Sequence, residues 1–443
     1  LHDALPIYTD VWDGAVDVSW YNEEDSEFHL YTPAQLAGLA AIVNGSIDWN
    51  TPAYCVKGYR SSPADSSANR GLPDSIEADF LVDTNLIAGV VGDAYQGIAA
   101  HSFADRTVYL EADMDMGGVA GDQIDHSKNV NKNAYDYPNW TPIGGEYLMD
   151  VSDAASMIKA SFNGLLDGKG HHITNLYCYR WAYRTVGDTA YGYAQGTGLV
   201  GMMGSVLHDG ESQPESAPGV KNMSLSGYIY GRRMVGGFVG CLGGGANAAA
   251  GSSVNIGAVF ENLANHADIY CTDSKGLGGI VATAMVDTGW IVNCYNTGYL
   301  CADYPAPTGG IVGSNEGLNI YCCYNLGAIN TNGNVRGRGI GADGSGSNYR
   351  VSDCYFLEEC GDDPQYPGYY TANLARSVKV SVESMTRTQM SDGTLLEKLN
   401  EAGILGGLAL DEERILWCAT EKNTRQQMDE VIRLAEEVRR AGK

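Results

Sequence analysis

One phrase of residues keeps returning along the middle of the chain, and its returns limit the folds open to it. KNMSLSG begins at Lys221, ENLANHAD at Glu261, NCYNTGYL at Asn293, CCYNLGAI at Cys322 and DCYFLE at Asp353, at steps of 40, 32, 29 and 31 residues. The insertion GGGANAAAGSS at 243–253 lengthens the first step. A glycine landmark follows each of the first four phrases: MVGGFVG at 234–240, GLGGIVA at 276–282, TGGIVGS at 308–314 and RGRGIGA at 336–342, with GTGLVGM at 196–202 as an earlier copy. A unit of this size with short strand-like runs cannot bury its own inward face, whereas stacked units hide those faces in one continuous core. Helical repeats of similar period need two amphipathic stretches per unit, and these units hold too much Gly and Asn for that. The expected fold is all-β, a right-handed parallel β-helix (a solenoid). Alternation is expected to set Ile291, Asn293 and Tyr295 against Val292 and Cys294, one set pointing inward. The repeat glycines Gly198, Gly201, Gly236, Gly237, Gly240, Gly278, Gly279, Gly309, Gly310 and Gly313 are expected to let the backbone turn sharply, including at positive φ.

Composition agrees with many short strands and tight turns. The chain of 443 residues holds 57 Gly and 28 Tyr against 7 Phe. Its net charge of −26 argues against a nucleic-acid partner, which needs phosphate-neutralising cations, and against adhesion to anionic lipid. Apolar residues reach 44%, enough for a real core. No apolar run approaches the ~20 residues of a membrane span, so no membrane insertion is expected of this sequence.

The landmarks resemble the GLUG-motif family of β-solenoid surface proteins. GTGLVG matches the Gly-Leu-x-Gly signature directly, and GGFVG, GGIVA and GGIVG vary its second position. RTVYLEADMDMGG (106–118), NWTPIGG (139–145) and FNGLLDGKGHHITNLYC (162–178) resemble the family's opening coils. FHLYTPAQLAGLAAIVNG (28–45) resembles its capping helix, with Thr32 as N-cap, Pro33 at the first helical position and the helix over 33–44. MTRTQMSDGTLLEKLN (385–400) resembles its closing segment, so the resemblance covers about 28–396 and departs from pattern at 46–105. It implies an exported, adhesin-like surface protein of a bacterium. Some larger proteins with these repeats resemble immunoglobulin A peptidases, but the zinc-protease HExxH is absent from this sequence.

The two ends read differently. LHDALPI (1–7) resembles translated adapter sequence and is set apart as a non-native leader, with any export signal and anchor expected outside this sequence. Residues 8–105 then form a cap region, 106–396 the solenoid and 397–443 a βα tail. The last 46 residues carry 9 acidic and 8 basic side chains, so nearly all the net charge belongs to the rest. Ile415–Ala419 reads as a strand, followed by a helix capped at Asn423 or Thr424. GILGGLALDEERILWCATEKNTRQQMDEVI resembles the C-terminus of subunit 1 of glycine dehydrogenase (decarboxylating), which reads as a chimeric junction near 396–400; glycine cleavage is not inferred from it.

Candidate chemistry is sparse. Cys294, Cys322 or Cys323, and Cys354 share one repeat position, which a core ladder of small apolar side chains explains. Disulfides between coils, Cys271–Cys301 or Cys354–Cys360, are the alternative. No cysteine spacing matches zinc. The tandem His171-His172 points to opposite faces and cannot chelate one ion. Asp113, Asp115, Asp122 and Asp125 supply hard oxygen ligands that can hold calcium, and a solvated acidic turn explains them equally. No other cofactor is implied. Tyr228 and Tyr230, Tyr295 and Tyr299, and Tyr321 and Tyr324 repeat along the stack, either as an exposed face that grips sugars or proteins or as strand tyrosines packed on a pleated surface.

Two function classes follow. The first is a non-catalytic extracellular or cell-surface solenoid that binds a host or bacterial surface glycan or protein. The second is a carbohydrate-active β-helix enzyme, a polysaccharide lyase or glycoside hydrolase. A polyuronide lyase needs cations around the substrate carboxylate. Only Arg232-Arg233 and Arg336/Arg338 come near such a cluster, which favours the first class.

Overall fold

The computed structural model describes residues 11–45, 95–119, 137–148, 157–180, 184–186, 189–208, 210–231, 233–243, 257–271, 276–286, 288–302, 307–333, 337–343, 349–361, 365, 367–370, 379–391, 394, 408–409 and 415–416. Parallel sheets dominate it: one of 16 strands, one of 6 and one of 4. Successive repeats lie directly on one another. In the largest sheet, Phe28 pairs with Val108, Val108 with Leu166, Leu166 with Val220, Val220 with Phe260, Phe260 with Ile291, Ile291 with Ile320 and Ile320 with Val351. These residues form one inward column, fully or almost fully buried, in one continuous core. The 6-stranded sheet adds the column Val200, Val239, Val281 and Val312, and the 4-stranded sheet stacks Val235, Leu277 and Thr308. All-β architecture built on parallel repeats is therefore as expected.

Simple alternation fails at one residue per coil. Asn175, Asn222, Asn262, Asn293, Cys322 and Asp353 have φ between 53° and 56°, in the left-handed region. Asn and Asp tolerate that conformation better than most residues. The turn resets the side-chain direction, so the residues flanking it by one and two both face inward: Ile291 and Cys294, Ile320 and Cys323, Phe260 and Leu263 are all buried. Asn293 and Tyr295 are only half-buried, which corrects the expectation that they accompany Ile291 inward.

The glycine landmarks fall at tight corners, but for a different reason than expected. None of Gly236, Gly237, Gly278, Gly279, Gly309 or Gly310 has positive φ. Their need is close approach. A Cβ on Gly237 would lie 2.7 Å from Asn265 Oδ1, and one on Gly279 2.7 Å from Asn296 Cγ, with the next coil's carbonyl closer still in both cases. Gly198, Gly240 and Gly313 are likewise pressed against neighbouring backbone. Gly201 donates its N–H to the Ile143 carbonyl at 2.9 Å.

The facing asparagines form a buried ladder. Asn265 Nδ2 donates to Asn296 Oδ1 at 2.6 Å, and Asn296 Nδ2 donates to Asn325 Oδ1 at 2.7 Å. All three are fully buried. Each amide also closes its own turn, as Asn296 does on the Gly298 carbonyl at 3.1 Å. One coil on, Phe356 takes the asparagine's place and abuts Gly339. A parallel ladder of half-buried asparagines runs from Asn293 through Asn262 and Asn222 to the buried Asp167.

The helix Pro33–Asn44 begins as expected: the Thr32 side chain accepts from Gln35 N, and the Gln35 side chain returns to Tyr31 N at 2.7 Å. Leu36, Leu39, Ile42 and Val43 join the core. At the far end the strand Lys379–Met385 pairs with Arg350–Leu357, and its Val380 stands 39% exposed. The strands Leu408–Ala409 and Ile415–Leu416 pair antiparallel, and the tail helix expected after Asn423 lies outside the described residues. Among the described residues no helix is long and apolar enough to cross a membrane.

Candidate binding face

The cysteines belong to the interior. Cys294, Cys323 and Cys354 are fully buried in the column continuing Met223 and Leu263, and the nine described cysteines are all free thiols. The expected disulfide alternatives are corrected by register. Cys271 pairs with Ala302 and faces the core, whereas Cys301 pairs with Tyr270 on the opposite side of the strand. Cys354 meets Cys323, not Cys360. Burial pushes the thiols of Cys323 and Cys354 well above the ordinary range.

The tyrosines stack on each other along the array. Tyr179 lies 4.7 Å from Tyr230 at 11°, and Tyr295 lies 4.8 Å from Tyr324 at 5°. Tyr177, Tyr228, Tyr270 and Tyr299 form a third row. Tyr228 is 0% exposed, Tyr230 8% and Tyr324 5%, so the expectation of an exposed face is corrected for these three. Tyr295, Tyr299 and Tyr321 are half-buried.

The aspartates are engaged by neighbouring coils. Asp113 Oδ1 accepts from the His172 amide at 2.9 Å and meets His171 Nδ1 at 3.1 Å. Burial pushes its carboxyl up, but these hydrogen bonds hold it below the usual range. Asp115 Oδ1 accepts from Gly117 N and Asn175 Nδ2. Asp122 and Asp125 lie outside the described residues. Among the described residues no three His, Cys, Asp or Glu side chains converge as metal ligands. The tandem histidines diverge as expected: His171 turns to Asp113 in one neighbouring coil, and His172 Nδ1 lies 2.5 Å from Ser224 Oγ in the other. Arg338 is buried with its guanidinium 4.9 Å over Tyr370, Arg233 is half-buried, and Arg232 and Arg336 lie outside the described residues.

A titratable cluster ties the cap helix to the first coils. His101 Nδ1 accepts from Phe103 N at 2.8 Å, and its Nε2 lies 3.6 Å from Glu211 Oε1. Glu211 also accepts from Ser102 N and His208 N, while His208 Nε2 reaches the Val43 carbonyl. Burial drives the His101 pKa down to about 4, against the upward pull of Glu211.

Among the described residues, Tyr31 beside the cap helix is 60% exposed, and the exposed aromatic within the repeats is one that the sequence patterns did not single out. Trp290 is 43% exposed on the outer face of the largest sheet. Its orientation follows from Ile291, which is fully buried beside it. In register, Trp290 pairs with Val259 on one side and Asn319 on the other. Arg350 comes next, its backbone N–H donating to Asn319 Oδ1 at 3.0 Å. The adjoining outer column runs Lys221, Glu261, Val292, Tyr321. Of the six tyrosines named from the sequence, Tyr321 is the one in this patch. Strands here are ~4.8 Å apart, so an aromatic, an amide and a cation stand at successive rungs of a flat ladder.

No protein-family model matches the chain, and no curated protein matches it. A solved structure to which it is similar is described as a putative immunoglobulin A1 protease from Bacteroides ovatus, at 15% identity and a TM-score of 0.41, covering 71% of this chain and 86% of that one. A likeness of that size carries no argument about activity.

Proposed function

We propose that the chain is a right-handed parallel β-helix of an exported or cell-surface bacterial protein, and that it acts without catalysis by binding a surface glycan or protein on its outer face. The hand rests on the rule that crossovers between parallel strands of one sheet are almost always right-handed. The GLUG-type landmarks support the surface setting, and the net charge of −26 favours partners other than nucleic acid.

The observation that carries the binding reading is Trp290. A large indole held 43% exposed on a sheet face gains little for folding. It offers a flat apolar platform with a polar edge, the combination that stacks on a sugar ring or anchors a protein partner. The test is a glycan and protein array probed with the full chain and with Trp290→Ala. Retention of specific ligands by the parent, lost in the variant, is expected. New reducing ends or unsaturated products in the ligand would contradict the non-catalytic reading.

A further inference from the structure

We infer that Trp290, Asn319 and Arg350 form a subsite for an acid-bearing oligosaccharide, a neutral pyranose resting on the indole and the carboxylate of the adjoining acidic sugar meeting the guanidinium. The inference rests on the glycan-binding reading above and adds to it the charge and direction of the ligand.

Charge pairing is the first ground. Among the described side chains, Arg350 is the one lysine or arginine without a partner, and it is exposed. The others are engaged, Lys169 with Glu111, Lys221 with Asp167 and Arg387 with Glu359 among them. In a chain of net charge −26, where acids outnumber bases 54 to 28, a cation left unpaired is conspicuous. Its planar fork of donors matches a carboxylate in a bidentate manner.

Geometry is the second ground. Arg350 follows Trp290 along the stack with only Asn319 between them. Asn319 is already spent on the strand, its Nδ2 donating to the Gly289 carbonyl at 3.2 Å and its Oδ1 accepting from Arg350 N. It therefore acts as a fixed spacer that keeps indole and guanidinium about two strand spacings apart, ~9–10 Å. The Trp290 indole N–H has no hydrogen-bond partner among the described residues, so it is available to a sugar hydroxyl. On the other side, where Val259 precedes Trp290, Glu261 stands in the adjoining outer column and pairs with Val292. It makes no ion pair among the described residues and repels a second ligand carboxylate. The subsite therefore fits one acid at the Arg350 end and a neutral ring over Trp290.

The test is a binding titration at low ionic strength with the full chain and three probes: 3′-sialyllactose, a glucuronate-terminated disaccharide, and neutral lactose. Either acidic probe should bind at least about tenfold more tightly than lactose, and whichever binds identifies the source of the acid. Arg350→Gln should bring the acidic probe down to the level of lactose. Trp290→Ala should abolish binding of both, while Trp290→Phe retains it. Each variant's melting temperature should stay that of the parent, since both side chains are outside the core. Glycan binding in which lactose equals the acidic probes, or in which Arg350→Gln leaves the preference intact, would overturn the acidic-sugar assignment and leave the glycan reading standing. No binding to any glycan, here or on the array, would overturn both.

Discussion

Within a single repeat, the inner corner at Asn296 and the outer position at Trp290 obey opposite rules. Asn296 is fully enclosed, hydrogen-bonded to the coil before and the coil after, and pressed against Gly279 so closely that no Cβ fits there. Trp290 touches solvent, and its indole N–H has no hydrogen-bond partner among the described residues. Buried amides are costly unless every donor and acceptor is met. The corner thus ties residue choice to the whole stack. The outer face carries no such constraint, so it is free to be shaped by a partner. On the binding reading proposed above, stability and recognition are divided between the inner corner and the outer face of the same repeat.

The sharpest way to break this division is to put a methyl group into the corner. Gly279→Ala places a Cβ against the Gly310 carbonyl and Asn296, with backbone on one side and a locked amide on the other. A loss above about 4 kcal/mol by denaturant unfolding, or failure to fold, is expected. Next comes Asn296→Ala, which leaves one donor on Asn265 and one acceptor on Asn325 short of a partner. About 2–4 kcal/mol should be lost by the same measurement.

A smaller effect depends on pH. His101 has a folded pKa of about 4 against an ordinary 6.5, chiefly because it is buried. The folded state therefore binds its proton later than the unfolded chain does. Its neutral form costs nothing above pH 6.5, and stability drains away as pH falls from 6.5 towards 4. Melting curves across that range should show His101→Gln losing less than the parent, by an amount on the order of 1–2 kcal/mol. An equal loss in both would place the acid sensitivity elsewhere. The smallest effect is Trp290→Ala, expected within about 0.5 kcal/mol of the parent in stability because the side chain lies outside the core.

The repeat phrases made the stacking legible, since KNMSLSG, ENLANHAD, NCYNTGYL and CCYNLGAI all land in one sheet in register. The cysteine ladder was legible too, because a residue type recurring at one repeat position stacks on itself. The role of the glycines was not. Positive φ and close approach both call for Gly, and only the position of Asn265, Asn296 and Asn325 across the corner distinguishes them. The left-handed residue before each buried cysteine or leucine hid the inward pattern, because period-two alternation assumes an unbroken strand. An N-x-x-N spacing at 262–265 and 293–296 was the signal that could have revealed both ladders. The tyrosines misled because an outward position on a strand need not be open: Tyr228 is outward relative to Ile229 and still fully buried. Trp290 was readable from its place beside Ile291, but its neighbour Arg350 is two repeats away in sequence. Only the register between coils brings them together.

The most direct test of the divided repeat measures two quantities on the same two variants, Asn296→Ala and Trp290→Ala. Melting temperature and affinity for the acidic oligosaccharide that the parent binds are recorded side by side. Asn296→Ala is expected to melt roughly 2–5 °C lower with affinity unchanged at temperatures where it is folded, while Trp290→Ala keeps its melting temperature and loses binding. A Trp290→Ala variant that melts as low as Asn296→Ala, or that binds as tightly as the parent, would contradict the division.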